Sequence, residues 1–146
     1  VANADPIGFY PLVLGLATKK IDLSTDTLKW LLTNTQPSRS WANKSEVTGE
    51  LATGGGYTAG GNTSAIISCT QTSGVLTLVL ADPPTWTGTG AGFGPFRYAV
   101  CYDFTATQQN LICYYDHGSS ISVASGQTYN TDLNQTTGLL KLSLVA

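Results

Sequence analysis

Phe96-Arg97-Tyr98-Ala99-Val100-Cys101-Tyr102-Asp103-Phe104 is the stretch that decides the fold. Successive side chains of an extended chain point to opposite faces, which puts Phe96, Tyr98, Val100, Tyr102 and Phe104 on one face of a strand. Arg97, Ala99, Cys101 and Asp103 then fall on the other, so a row of large groups is backed by small or polar ones. Upstream, Leu28, Trp30 and Leu32 alternate with Lys29, Leu31 and Thr33, again with period two. Residues 64–70 and 75–80 flank Gln71-Thr72-Ser73-Gly74 and read as a hairpin. Asp82-Pro83-Pro84 ends its second strand, because proline has no N–H for a ladder. Downstream, residues 111–115, 121–123, 127–129 and 139–145 read as shorter strands, separated by turns at Asp116-His117-Gly118 and Ser125-Gly126. Roughly seven or eight short strands at about ten-residue spacing predict an all-β fold, an antiparallel β-sandwich or jelly-roll-like barrel. Helix is confined to a short piece near the N-terminus or near Trp41.

The first 23 residues differ from the rest. Pro6 and Pro11 bracket Ile7-Gly8-Phe9-Tyr10, and Leu12-Val13-Leu14-Gly15-Leu16 follows, an apolar run broken by Pro and Gly. Residues 1–23 are therefore expected to form an extended N-terminal arm and residues 24–146 the β-sandwich domain. Such an arm either packs back onto its own domain or reaches across to a neighbour; in the second case Phe9, Tyr10, Leu12, Leu14 and Leu16 are its expected contacts, in a groove or along a sheet edge. Ordering the arm costs about 1–2 kcal/mol per residue, and each large side chain returns about 1.5–3 kcal/mol when fully buried, so further contacts must supply the rest. Deleting residues 1–20 is expected at this level to spare the β-domain and abolish attachment.

The chain has 146 residues, the size of one domain, with 42% hydrophobic but only 11% charged residues against about 25% in a typical soluble domain. Thr, Ser, Asn, Gln and Gly cover the surface instead, which suits burial against other subunits. The net charge is −2 with Lys and Arg scattered, which argues against nucleic-acid binding. No apolar run reaches the roughly eighteen residues of a membrane span, and the first residues lack the basic start of a signal peptide. A start at Val1 in a chain without Met is expected to follow removal of an initiator Met from a protein made in the cytoplasm.

Residues with chemical potential read as structural. Cys69, Cys101 and Cys113 have no close pair in sequence and fit neither a disulfide framework nor a zinc site. His117, the only histidine, lies beside Asp116, Ser119 and Ser120, but a triad needs convergence from a rigid frame with an oxyanion hole; an exposed histidine in a turn is expected. Asp82, Asp103, Asp116 and Asp132 stand at strand ends where Asx hydrogen bonds favour them. Residues 88–94, rich in glycine, lead into a strand rather than the helix a phosphate loop requires. Sequons begin at Asn43, Asn62 and Asn134 and read as chance matches. The long Gly54-Gly55-Gly56-Tyr57-Thr58-Ala59-Gly60-Gly61 loop reads as functional. Trp41, Tyr57 and Trp86, in or beside loops, are candidate surface contacts, either at an interface or as an exposed platform for sugar rings. No catalytic residue, metal ligand or cofactor is expected.

Five blocks in consistent order carry a resemblance. They are Thr25-Asp26-Thr27-Leu28-Lys29 running into Leu32-Thr33-Asn34-Thr35, the glycine loop 54–61, Gly94-Pro95-Phe96-Arg97-Tyr98, Tyr115-Asp116-His117-Gly118-Ser119-Ser120, and Gly138-Leu139-Leu140-Lys141-Leu142. Over about residues 22–146 the chain resembles small virion structural proteins of tailed bacteriophages. The resemblance implies a capsid decoration or cement protein that binds and stabilises the major capsid protein lattice. It also implies a homo-oligomer, a trimer by analogy with proteins seated on local threefold axes, made in the host cytoplasm and located in the virion. Residues 2–20 depart from the amphipathic helical entry of that group. A tail, baseplate or head-fibre component and a carbohydrate-binding β-sandwich module are the alternative readings.

Overall fold

The structure, a computed structural model, describes residues 5–144; residues 1–4 and Val145, expected to end the last strand, lie outside them. Along the chain come β1 (Ile7–Gly8), α1 (Leu12–Ala17), β2 (Leu28–Thr33), a 3-10 turn at Lys44–Glu46, β3 (Asn62–Ser64), β4 (Ile66–Thr72) and β5 (Val75–Leu80). Then follow β6 (Trp86–Thr87), β7 (Phe93–Asp103), β8 (Leu111–Val123), β9 (Thr128–Tyr129) and β10 (Leu140–Ser143). A five-stranded sheet in the order β1-β8-β7-β2-β3 faces a three-stranded sheet in the order β10-β5-β4, and β6 pairs with β9. All the pairings are antiparallel. The expected all-β sandwich is the observed architecture, and the two short helical pieces lie near the N-terminus and near Trp41.

Period-two patterning explains β2. Leu28, Trp30 and Leu32 enter the core between the sheets, with Leu78 and Leu80 of β5 and Leu139. Leu31 enters a second core on the outer face of the large sheet, with Phe9, Tyr98, Val100, Tyr102, Leu111 and Tyr114, covered by Trp41 and Val47. The central strands are thus buried on both sides, which is why the run Trp30-Leu31-Leu32 has no exposed member. The hairpin forms as expected: Ser73 and Gly74 both take positive φ, 50° and 79°, the pair of left-handed residues that joins twisted strands in two.

The row of five large groups is broken. Phe96 joins the inter-sheet core with Ala99 and Cys101, Tyr98, Val100 and Tyr102 join the outer core, and Phe104 lies past the end of β7, exposed, with Lys29 Nζ 4.2 Å from its ring centre. The register shows why. Phe96 pairs with Ile121 and Tyr98 with Asp116, so Arg97 alone stands opposite four residues, 117–120, in a bulge that re-aims the side chains on either side of it. The same bulge removes the expected turn at Asp116-His117-Gly118, because β8 runs through it to Val123. Small residues at Ala99 and Cys101 leave room for Trp30, which stacks at 5.5 Å on Tyr115.

Of the two packings expected for the N-terminal segment, the structure shows the one on its own domain. β1 adds to the edge of the large sheet, pairing Ile7 with Tyr114 and Gly8 with Cys113. Phe9 fills the outer core, while Leu12, Ile21 and Leu23 join the inner one. Burial of these four side chains against the chain's own sheets is worth about 1.5–3 kcal/mol each relative to leaving them in water.

Candidate interaction surface

α1 sorts its side chains by helical period. Pro11, with φ −66°, is already shaped for a helix start. Leu12 and Gly15 turn inward, and a Cβ on Gly15 would lie 2.7 Å from Ile21 Cδ1. Thr18 Oγ1 donates to the Leu14 carbonyl at 2.7 Å. The Lys19 and Lys20 N–H groups bond back to Leu16 and Gly15 carbonyls at 3.3 and 2.9 Å, closing the helix in a Schellman motif with Lys19 at φ 59°. Packing the inward face leaves Tyr10, Val13 and Leu14 outward, at 61%, 60% and 64% exposure.

Arg39 ties Tyr10 and the end of β1 in place. Tyr10 N–H donates to the Arg39 carbonyl at 2.9 Å, Arg39 Nε donates to the Gly8 carbonyl at 3.0 Å, and the Arg39 guanidinium lies 4.3 Å from the Tyr10 ring centre. Beside it runs a groove of about 520 Å³ bounded by Phe9, Tyr10, Val13, Arg39, Leu140 and Leu142. Its two walls belong to β1 and β10, each the outermost strand of its sheet. Leu144, just past β10, is 85% exposed. Exposed apolar side chains beside the outermost strands of two sheets are what a protein partner covers.

Of the arm residues expected to make contacts, Tyr10 and Leu14 face outward, Leu16 is half-buried against the inner core, and Phe9 and Leu12 are consumed internally. Val13 was missed; Pro11 starting a helix, with Leu12 and Leu16 four apart on its inner side, is the signal that would have found it. The loop aromatics also differ from expectation. Tyr57 and Trp86 are buried at 1% and 2% exposure, and Trp41 is half-buried over the outer core, so the three form no exposed platform.

Tyr57 instead fastens the glycine loop. Its hydroxyl accepts from Leu32 N–H and donates to Glu50 Oε1, both at 3.1 Å. Glu50 also accepts from Gly60 N–H and pairs with Lys44 at 3.1 Å, and Tyr102 donates to the Gly60 carbonyl at 2.7 Å. Burial, and then the Glu50 charge, push the Tyr102 hydroxyl up to about 12 and Tyr57 higher still, so both act as neutral hydrogen-bonding struts. No sequence signal marks Glu50 as the centre of this network.

His117 is half-buried in the β8 bulge and shares a 2.7 Å hydrogen bond with the Tyr129 hydroxyl; burial lowers its pKa. Ser120 Oγ donates to Asn34, away from the histidine, and Asp116 accepts a bidentate pair from Arg97 at 2.7 and 3.0 Å, which holds its carboxyl below the usual range. Asp116 and Asp103 accept nearby backbone N–H groups as expected, whereas Asp82 reaches across to Leu133 and Gln135. Cys101 and Cys113 face one another across β7 and β8 as buried free thiols, a closeness their spacing of twelve residues hides. Among the described residues no group of three or more His, Cys, Asp or Glu side chains converges as a metal site.

The chain matches no family model, no curated protein and no solved structure. Its surfaces therefore speak through their chemistry alone. The α1 face and its groove join exposed apolar side chains to the outermost strands of two sheets, with Asp5, Arg39 and Lys141 also lining the groove.

Proposed function

We propose that the chain is a virion structural protein, a capsid decoration or cement protein that binds and stabilises a major capsid protein lattice as a homo-oligomer. The observation that carries the reading is the exposed apolar face of Tyr10, Val13 and Leu14 beside the outermost strands of two sheets. That face argues for a protein partner, and the low share of charged residues, 11%, agrees with it; the capsid lattice as that partner comes from the sequence resemblance alone. A protein that clamps neighbours needs no reacting groups, only complementary surface repeated by symmetry. A tail, baseplate or head-fibre station remains the second reading, since the same surface serves there. The burial of Tyr57 and Trp86 counts against a sugar-binding module built on them.

The double substitution Val13→Asp and Leu14→Asp tests the face. Both side chains are largely in water in the free chain, so the melting temperature should stay within about 2 °C of wild type. Burying two unpaired carboxylates in an apolar contact should lower occupancy on purified particles at least tenfold, the equivalent of about 1.4 kcal/mol. Co-sedimentation at unchanged occupancy would remove α1 from the account.

A further inference from the structure

Ser68-Cys69-Thr70-Gln71-Thr72 is the straight part of β4, an outermost strand of the small sheet. At one end Ile67 bulges between the Ile66–Leu80 and Ser68–Val79 pairs, and at the other the chain turns at Ser73-Gly74. In a two-residue hairpin the residues flanking the turn exchange hydrogen bonds, and bonded pairs then alternate along the ladder. Thr72, Thr70 and Ser68 therefore turn their backbone groups toward β5, while those of Cys69 and Gln71 point away from it. Among the described residues no hydrogen bond from beyond the hairpin reaches residues 68–72, and Thr70, Gln71 and Thr72 are exposed. Sheet edges are ordinarily defended by shortness, charge, proline or a bulge. The other outermost strands of the two facing sheets conform, since β1 and β3 are two and three residues long and β10 carries Lys141. β4 has seven residues with no charge, proline or glycine, and its bulge lies at the start, which leaves residues 68–72 open.

We propose that β4 is a self-association edge, pairing antiparallel with β4 of a second copy of this chain about a twofold axis at Thr70. The register follows from the ends of the straight segment. Thr70 is its midpoint, with the bulge on one side and the turn on the other. Cys69 and Gln71, whose backbone groups are open, then fall opposite Gln71 and Cys69 of the second copy, as bonded pairs that exchange both N–H···O bonds. Thr70 meets its own copy in the closer, non-bonded kind of pair, about 4.5 Å between Cα atoms. Ser68 meets Thr72 on the same face, and hydroxyl pairs of this kind are favourable across strands. A twofold axis sets the same patch against itself, and a segment without charge, with hydroxyls at both ends and in the middle, meets itself without repulsion. The contact closes two open edges at once and stops at a dimer. The α1 groove lies along β10, at the opposite edge of the small sheet, so self-pairing and the binding proposed for α1 do not compete.

Sedimentation velocity of the full chain over a concentration series tests the contact. Pairing along residues 68–72 is smaller than the roughly 1,200–2,000 Å² of a stable complex, so wild type should pass from monomer to dimer in the micromolar range. Thr70 is exposed, and Thr70→Lys or Thr70→Glu each sets two like charges face to face at the axis. Each variant should melt as wild type does and dimerise at least tenfold more weakly. Mixing the two in equal amounts should restore the dimer, because Lys then faces Glu, a recovery that general damage to β4 does not produce. Val13→Asp with Leu14→Asp should leave dimerisation unchanged, which keeps this contact separate from the α1 face. A wild type that stays monomeric at hundreds of micromolar would overturn the second copy as the occupant and leave the edge to a strand of another protein. Charged variants that dimerise as wild type does, or that fail to recover on mixing, would overturn the proposal as well.

Discussion

Removal of residues 1–20 is expected to unfold the chain rather than to release an arm. The deletion strips β1 from the large sheet and takes Phe9 and Leu12 out of the two cores, where they are 2% and 3% exposed. Truncating a buried Phe costs about 3–5 kcal/mol and a buried Leu about 2–5 kcal/mol, against a total stability of about 5–15 kcal/mol for a domain. Ile21 and Leu23 would then line an open core. Circular dichroism melts should show a transition lowered by well over 10 °C or no cooperative transition. A truncated chain that melts within a few degrees of wild type would mean that the N-terminal segment is separable after all.

Gly61→Ala is expected to be the most damaging single methyl group in the chain. Gly61 takes φ +71°, and a Cβ there would lie 1.6 Å from the Trp30 carbonyl oxygen and 2.8 Å from Leu31 Cα. Those atoms are backbone of the strand at the centre of both cores, so relief requires parting β2 from β3 and disturbing the Gly60 contacts of Glu50 and Tyr102. A loss above about 4 kcal/mol follows, in the range reserved for such clashes. Gly90→Ala is the matched control: its φ is also positive, +57°, but nothing lies within 4 Å of the added methyl, and the cost should be about 1–2 kcal/mol, the left-handed penalty alone. Equal denaturant midpoints for the two variants would show that steric approach at Gly61 is not what the glycine serves.

The strands were legible because period-two burial leaves its mark in the residues themselves: Leu28-Lys29-Trp30 and the hairpin at Ser73-Gly74 carry their conformation locally. The bulge at Arg97 was not, because the four residues facing it are set by how β8 pairs, and Asp116-His117-Gly118 has the composition of a turn. Burial on both sides of β7 was hidden for a similar reason. Its outer cover comes from Phe9, Trp41 and Val47, from segments whose proline and polar residues read as connections. Distance in sequence likewise conceals the hydrogen bonds of Tyr57 with Leu32 and of Tyr102 with Gly60. The candidate surface was half legible: apolar residues before position 17 announced a contact, but only the helical period that starts at Pro11 decides which of them face out.

Localisation of the chain on the parent particle by a low-resolution reconstruction tests the central claim most directly. The account predicts density repeated over the capsid lattice at local threefold or quasi-threefold positions, with α1 and the adjoining β1–β10 groove against the major capsid protein. Density confined to a single tail vertex, or lattice-bound subunits that turn Tyr10, Val13 and Leu14 toward solvent, would contradict it.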